Sequence, residues 1–175
     1  MKRCCRAFSV LALSVAGAAV VPASALAQAA SGPCKPVFDA MLKETVTPHH
    51  TVTTRNGSQP MESISTADAM YVHVKGEWRR SPMKPQVLLA QQQENIRSVT
   101  VASCTALADE VVDGKRAAVY QAHYEQPDLG ASDAKIWIAK TTGLPIRTDV
   151  SLQAGEKTAV STRFDYDNIK APFVK

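Results

Sequence analysis

The sequence predicts an α+β protein in which a curved antiparallel sheet of seven or eight strands wraps around two helices. Apolar and polar residues alternate in several segments, which is typical of half-buried strands. The tight-turn dipeptides Asn56-Gly57 and Asp113-Gly114 join neighbouring strands, and short connections favour antiparallel pairing. Only two segments have a helical pattern, so the helices can cover one face of the sheet while the other face stays in water.

The segment before this domain, residues 1–27, is predicted to be a secretory signal peptide. Three basic residues among positions 2–6 precede an apolar run over residues 7–21, which is the usual layout of such a signal. Small residues offer cleavage sites after Ala25 and after Ala27, and we place cleavage after Ala27. An uncleaved membrane anchor is the weaker alternative, because the run is shorter than the roughly 20 residues that a spanning helix needs. The mature chain is then expected to carry no transmembrane segment.

Removal of 27 of the 175 residues leaves 148, residues 28–175, which is the size of one ordinary domain. The full chain has 20 Lys and Arg against 16 Asp and Glu, and three of the basic residues lie in the signal peptide, so 17 bases remain against 16 acids. No run of basic residues longer than Arg79-Arg80 remains in the mature chain. We therefore expect no nucleic acid as a partner.

Two cysteines remain in the mature chain, because Cys4 and Cys5 belong to the signal peptide. In an oxidising compartment, a disulfide between Cys34 and Cys104 is the expected arrangement. A redox role is less favoured, because the pair is not a CxxC motif. Lipid attachment at Cys34 is also less favoured, since Ser31-Gly32-Pro33 is a poor lipobox and lies well away from the apolar run.

The first element of the mature chain is predicted to be an amphipathic helix. Val37, Met41 and Leu42 recur at helical spacing, and Pro36 suits a first turn. A β-branched run then leads into Asn56-Gly57, which predicts two strands around a tight turn, with the register of the second strand left open.

A second strand pair and the second helix are predicted to follow. Met70, Val72 and Val74 alternate with polar residues, and Gly76-Glu77 supplies a turn before the next strand. Residues 86–97 are rich in good helix formers. The apolar residues available for one face of that helix are Val87, Leu88, Leu89 and Ile96.

The C-terminal half is predicted to consist of strands alone. Two strands flank Asp113-Gly114, two lie within residues 134–152, and a last strand follows a turn at Gly155-Glu156. Trp137 shares its parity with Lys135 and is expected on the outer face. Alternation places the apolar residues of the last three strands on one face; they include Ile136, Ile138, Ile146, Thr148, Val150, Leu152, Val160, Thr162, Phe164 and Tyr166.

Two segments resemble the LolA-like superfamily of periplasmic lipoprotein carriers, the outer-membrane lipoprotein-sorting proteins. They are KIWIAKTTGLPIRTDV (residues 135–150), with a strand, a Thr-Gly-Leu-Pro turn and a strand, and FDYDNIKAPF (residues 164–173). The earlier HVKGEWRRSPM (residues 73–83) is similar to the family's strand-turn-strand with an aromatic residue after the glycine. The resemblance implies an open half-barrel with helices against its concave face. It also implies a periplasmic location and an apolar cavity that takes acyl chains.

On this basis we predict a non-catalytic periplasmic binding or carrier protein for a hydrophobic ligand, either a lipid or the acyl chains of a lipoprotein, with an envelope protein as a further partner. The alternative is an envelope interaction or assembly module whose apolar face is a plain, closed core and which binds no lipid. No residue matches the family's lid arginine, so no family site residue is carried over. The positions expected to line the cavity are Val72, Val74, Trp78, Ile136, Ile138, Ile146, Val150 and Phe164.

The same sequence offers little to support an enzyme. It has no HExxH spacing, no GxSxG elbow, no P-loop and no dinucleotide-binding glycine pattern. A polar strand face explains His73 and His123 without a metal, and His49-His50 has no paired cysteines to complete a zinc site. We therefore predict no catalytic residue, no metal and no cofactor.

Overall fold

The computed structural model describes residues 32–127, 130–153 and 158–174, and these form two α-helices and nine strands. The predicted signal peptide and the predicted turn at Gly155-Glu156 lie outside the described residues. The helices are α1 (Lys35–Val46) and α2 (Pro85–Arg97). The strands are β1 (His49–Arg55), β2 (Met61–Ser65), β3 (Met70–Val74), β4 (Glu77–Arg80), β5 (Val101–Val112), β6 (Lys115–Gln126), β7 (Gly130–Ala139), β8 (Pro145–Leu152) and β9 (Thr158–Asp165).

All nine strands belong to one antiparallel sheet in the order β4-β3-β2-β1-β9-β8-β7-β6-β5. The sheet is curved and open, so the predicted α+β class with two helices is confirmed. The number of strands is nine rather than seven or eight. The strand after the first turn, whose register the sequence leaves open, forms β2 and pairs along its length with β1. Strands that follow one another along the chain are neighbours in the sheet, except that β4 and β5 lie at opposite edges, and β9 returns to pair with β1.

Tight turns set the register of the β5–β6 and β3–β4 hairpins, whereas Asn56-Gly57 lies in a longer connection between the paired residues Thr53 and Met61. Asp113 and Gly114 both have positive φ, 50° and 77°, and join the paired residues Val112 and Lys115. Two successive residues in the left-handed region are the signature of the hairpin turn whose twist matches that of the strands. The β3–β4 turn has the same form but lies at Lys75-Gly76, one residue before the predicted position.

Helix α1 carries the apolar face that packs on the sheet. Pro36 lies in its first turn, where its missing N–H costs no hydrogen bond, and Val37, Phe38 and Ala40 are buried. Helix α2 lies against α1 and buries only Pro85. The predicted apolar face of α2 is only partly used: Val87 is 56% exposed, whereas Leu88, Leu89 and Ile96 are half-buried.

The main core lies between α1 and the face of the sheet that α1 contacts, called here the helix face. The predicted disulfide between Cys34 and Cys104 is confirmed, and it ties the start of α1 to β5 at the sheet edge. Its Cα atoms are 5.0 Å apart. The buried residues of this core are Val37, Ala40, Ala122, Ala134, Ile136 and Ile138, with Met41, Tyr120, Tyr124 and Val150 partly buried against them.

A second buried cluster lies on the opposite face of the sheet, called here the outer face. Trp137 lies on this face, as its shared parity with Lys135 predicts, and it is at the centre of the cluster with only 3% of its surface exposed. The side chains of Lys135 and Arg147 lie over its ring, with Nζ and Cζ at 4.7 and 4.8 Å from the centroid. Its Nε1–H donates to Glu110 Oε2 at 2.7 Å. The apolar members around the ring are Val112, Ala117, Val119, Ala139 and Ile146.

Candidate functional site

An apolar cavity of about 280 Å³ lies between the two helices and the helix face of the sheet. This volume is close to the lower end of the roughly 300–1,000 Å³ range of small-molecule sites. The cavity is lined by residues of α1, α2 and the strands β6 to β9, namely Met41, Glu44, Gln92, Tyr124, Gln126, Ser132, Ala134, Ile136, Pro145, Thr148, Val150 and Phe164. Its wall is mainly apolar, with a few polar groups, which is the usual composition of a ligand site.

The register of the strands brings the sheet side of this wall together. Ala134 on β7 pairs with Val150 on β8, and Ile136 pairs with Thr148 two residues further along. Residues two apart on a strand point to the same face, so all four side chains face the helices. The small side chain of Ala134 leaves space beside its neighbours, and Met41 of α1 and Gln92 of α2 lie across that space.

A larger depression of about 560 Å³ on the outer face is a poorer candidate. Charged side chains contribute much of its wall, including Lys135, Arg147 and Asp149. Arg147 Nη2 is 2.6 Å from Asp149 Oδ2, and Ser161 Oγ donates to the same carboxylate at 2.7 Å. These groups satisfy one another, and the depression is more open to solvent than the cavity beneath the helices, so it encloses a ligand less well.

Half of the residues that the sequence places at a ligand site lie at or beside the cavity. Ile136, Val150 and Phe164 line it. Ile138 belongs to the same buried helix-face cluster, although it does not line the cavity.

The other predicted positions lie elsewhere in the sheet. Ile146 lies with Trp137 on the outer face. Pro145 pairs with Ile138 and Arg147 pairs with Trp137, so Ile146 is one extra residue in β8 between the two pairs. Such a bulge reverses the side on which the next residue falls. The remaining three predicted positions are separated from the cavity strands by β1 and β2. Val72 and Val74 are on β3, and Trp78 is on β4.

Trp78 instead packs with two histidines on the outer face. Its ring centroid lies 5.0 Å from that of His73 and 6.4 Å from that of His50. Both histidines face the carboxylate of Glu62, with His50 Nε2 at 3.1 Å and His73 Nδ1 at 4.0 Å. Within the described ranges, no group of three or more His, Cys, Asp or Glu side chains is arranged to hold a metal ion.

A histidine–carboxylate pair anchors the C-terminal end of α1 beside the cavity. His49 is buried, and its Nε2 lies 2.9 Å from Glu44 Oε1, while its Nδ1 contacts the Thr47 carbonyl at 2.7 Å. Burial by itself lowers the pKa of His49, but the hydrogen bond and charge of Glu44 and the Thr47 carbonyl outweigh it, so the pKa is raised above 6.5. The sequence does not reveal this pair, because Glu44 and His49 belong to different elements.

This raised pKa predicts how stability depends on pH. A histidine that binds its proton more tightly when folded stabilises the fold fully below its unfolded pKa of about 6.5. That contribution is lost as the pH rises through the higher pKa of the folded state. We therefore expect the free energy of unfolding, measured by urea denaturation, to fall as the pH rises from about 6.5 through the higher pKa of the folded state.

The His49→Gln variant tests whether His49 supplies this dependence. It should show a smaller fall over the same range. Part of the fall should persist, because the hydrogen bond with Asp133 also raises the pKa of His123. Identical pH slopes for wild type and His49→Gln would contradict the assignment.

Comparison with known proteins supports the architecture. No family model and no curated protein sequence matches the chain. The open curved antiparallel sheet with two helices is the fold that the resemblance to LolA-like proteins implies, so that expectation is confirmed at the level of fold.

Among solved structures, the Mycobacterium tuberculosis lipoprotein LppX matches with a TM-score of 0.51 at 12% identity, over 79% of this chain and 97% of that one. MucB matches with a TM-score of 0.43 at 16% identity, over 78% of this chain, and the chain spans only 58% of MucB. A putative outer membrane lipoprotein-sorting protein domain from Vibrio parahaemolyticus matches with a TM-score of 0.30 at 10% identity, over 77% of this chain and 91% of that one. Identities this low concern the fold alone.

No helix in the described parts of the chain is long and apolar enough to cross a membrane.

Proposed function

We propose that the protein binds a hydrophobic ligand in the cavity between its helices and its sheet, and carries that ligand unchanged through the periplasm. The observation that carries the proposal is the cavity itself, whose wall is mostly apolar and includes Met41, Ile136, Val150 and Phe164. A core that was closed by the protein's own helices would leave no such space. The LolA-like fold and the signal peptide predicted from residues 1–27 are consistent with a carrier that works outside the cytoplasm.

Transfer of acyl carbons from water into the cavity supplies the binding free energy. Each buried methylene contributes about 0.8 kcal/mol. Several methylenes are needed before the total exceeds the cost of association, about 4 kcal/mol or more. A chain-like ligand therefore suits this site better than a small polar molecule.

Native mass spectrometry of the mature protein, purified from a periplasmic extract, tests the proposal directly. We expect a mass increment in stoichiometric amount, which organic extraction and lipid analysis then identify. Protein that emerges empty, and that also fails to take up the neutral fluorescent probe N-phenyl-1-naphthylamine, would contradict the proposal.

Filling the cavity should remove binding without harming the fold. Ala134 lines the cavity, so the larger side chain of an Ala134→Leu variant can occupy space that the ligand needs. We expect its affinity for the probe to fall by about tenfold or more, which is about 1.4 kcal/mol, with a melting temperature equal to or above that of wild type. Ala159→Leu is the matched control, because Ala159 is exposed on β9 and does not line the cavity. Equal probe affinity in the two variants would place the ligand elsewhere.

A second candidate function is an interaction module, and the edge strand β5 favours it. β5 is 12 residues long, pairs with β6 on one side, and ends the sheet. Its apolar residues Val101, Leu107 and Val111 are 43%, 41% and 69% exposed. Such an edge can accept a strand from a partner, although the irregularity between Leu107 and Glu110 interrupts it. This candidate predicts empty protein and no probe uptake.

A further inference from the structure

The hydroxyl of Tyr124 is a buried polar group that the fold leaves without a partner. Tyr124 lies on β6, and its side chain lines the cavity and packs on Phe38 of α1, with ring centroids 5.6 Å apart. Among the described residues, its oxygen is the buried side-chain atom that makes no hydrogen bond. Proteins pair the large majority of such atoms, and an unpaired one costs free energy. The oxygen has almost no surface open to a water-sized probe, so the Tyr124 side chain must turn toward the adjoining cavity before its hydroxyl can bind a ligand atom.

Two other polar side chains of the cavity wall, Gln126 and Glu44, already have partners within the protein. Gln126 Nε2 donates to the Asn95 carbonyl at 3.0 Å and to Ser98 Oγ at 3.1 Å. Glu44 Oε1 is held by His49 at 2.9 Å. Among the buried side-chain atoms of the cavity wall, the Tyr124 hydroxyl is therefore the one whose hydrogen bond is still to be made.

The protonation state of Tyr124 fixes the kind of partner. Burial raises the pKa of its hydroxyl above the ordinary value of 10, so the group keeps its proton at neutral pH. A protonated phenol can donate to an acceptor oxygen, and a carbonyl is such an acceptor.

We propose that the ligand carries a neutral acyl carbonyl oxygen, as in a fatty acyl ester, which accepts a hydrogen bond from the Tyr124 hydroxyl while the acyl chain fills the apolar cavity. This inference rests on the proposed function and specifies its ligand class. Glu44 is the one charged side chain among the described residues that line the cavity. A free carboxylate would therefore enter a site that has a negative charge and no lining Lys or Arg, and burial of an unpaired charge is costly.

Displacement of N-phenyl-1-naphthylamine by three matched competitors tests this at pH 8: methyl decanoate, decanoate and undecane. We expect wild type to bind the ester more tightly than the acid. The ratio of ester affinity to alkane affinity should be about tenfold higher in wild type than in Tyr124→Phe, which is the factor that one satisfied hydrogen bond supplies. Comparison of this ratio between the two proteins cancels the different hydration of ester and alkane, and Tyr124→Phe should keep its affinity for the alkane. Its melting temperature should equal or exceed that of wild type, because no hydrogen bond is lost. Tyr120→Phe, on the same strand and face, is the control and should keep the wild-type ratio.

Different outcomes separate the two proposals. An ester-to-alkane affinity ratio that is the same in wild type and Tyr124→Phe overturns the acyl carbonyl while leaving the hydrophobic site intact. Tighter binding of decanoate than of its ester also overturns it. If neither probe nor competitors bind, the proposed function fails, and this inference fails with it.

Discussion

Replacement of both Cys34 and Cys104 by alanine is expected to lower the free energy of unfolding by about 4 kcal/mol. The disulfide joins residues 70 apart, and removal of so long a crosslink increases the entropy of the unfolded chain. Cys34 is the N-cap of α1, whose residues Met41 and Glu44 form part of the cavity wall. For a domain of this size, the expected loss corresponds to a fall in Tm of about 10 °C.

Urea denaturation followed by tryptophan fluorescence measures this effect. Wild-type protein treated with a reducing agent is the matched control, and it should unfold close to the double variant. A difference below about 1 kcal/mol between oxidised and reduced protein would show that the crosslink does little to constrain the unfolded chain.

Replacement of Trp137 by alanine is expected to have a comparable effect, about 4 kcal/mol. The change removes the centre of the outer-face cluster, and it leaves the guanidinium of Arg147 and the ammonium of Lys135 without the ring they cover. Glu110 also loses a hydrogen-bond donor. Because neither of the two described helices, α1 and α2, covers this face, neighbouring strands have little else with which to close the space.

Thermal unfolding followed by circular dichroism tests this expectation, since it does not depend on the tryptophan signal. Trp137→Phe should cost less than Trp137→Ala, because it keeps a ring and loses the N–H donor. Trp78→Ala is the control. Trp78 is half-buried on β4 at the far edge of the sheet, so its replacement should lower the free energy of unfolding clearly less. Equal losses for the two tryptophans would mean that the outer-face cluster is not a core.

Local sequence patterns predict the elements of this fold better than their arrangement. Asp113-Gly114 marks the β5–β6 turn, and alternation on β7 and β9 identifies the helix face, because turns and faces depend on residues near in sequence. The pairing of β9 with β1 depends on contacts between distant residues, so no local pattern reveals it. Ile146 shows the same limit on a smaller scale: its parity matches Val150, and one extra residue in β8 moves it to the other face.

The cavity was partly predictable for the same reason. The position of Ile136, Val150 and Phe164 on the helix face follows from alternation alone. Tyr124 could have been found, because it shares parity with Tyr120 and Ala122 on β6. The lack of a hydrogen-bond partner for its hydroxyl could not have been predicted, because it depends on how α1 packs over the sheet. The cavity itself arises where small and large side chains from four strands and two helices meet.

The position of β9 also has a consequence for the order in which the molecule forms. Thr53 and Thr162 are 109 residues apart, yet their hydroxyls lie 3.0 Å from each other where β1 meets β9. Contacts between such distant residues make folding slow. Until residues 158–165 are present, β1 and β8 are two unpaired edges and the sheet is divided into halves. β9 therefore joins the two halves, and the sheet cannot form as a single unit before residues 158–165 have been synthesised.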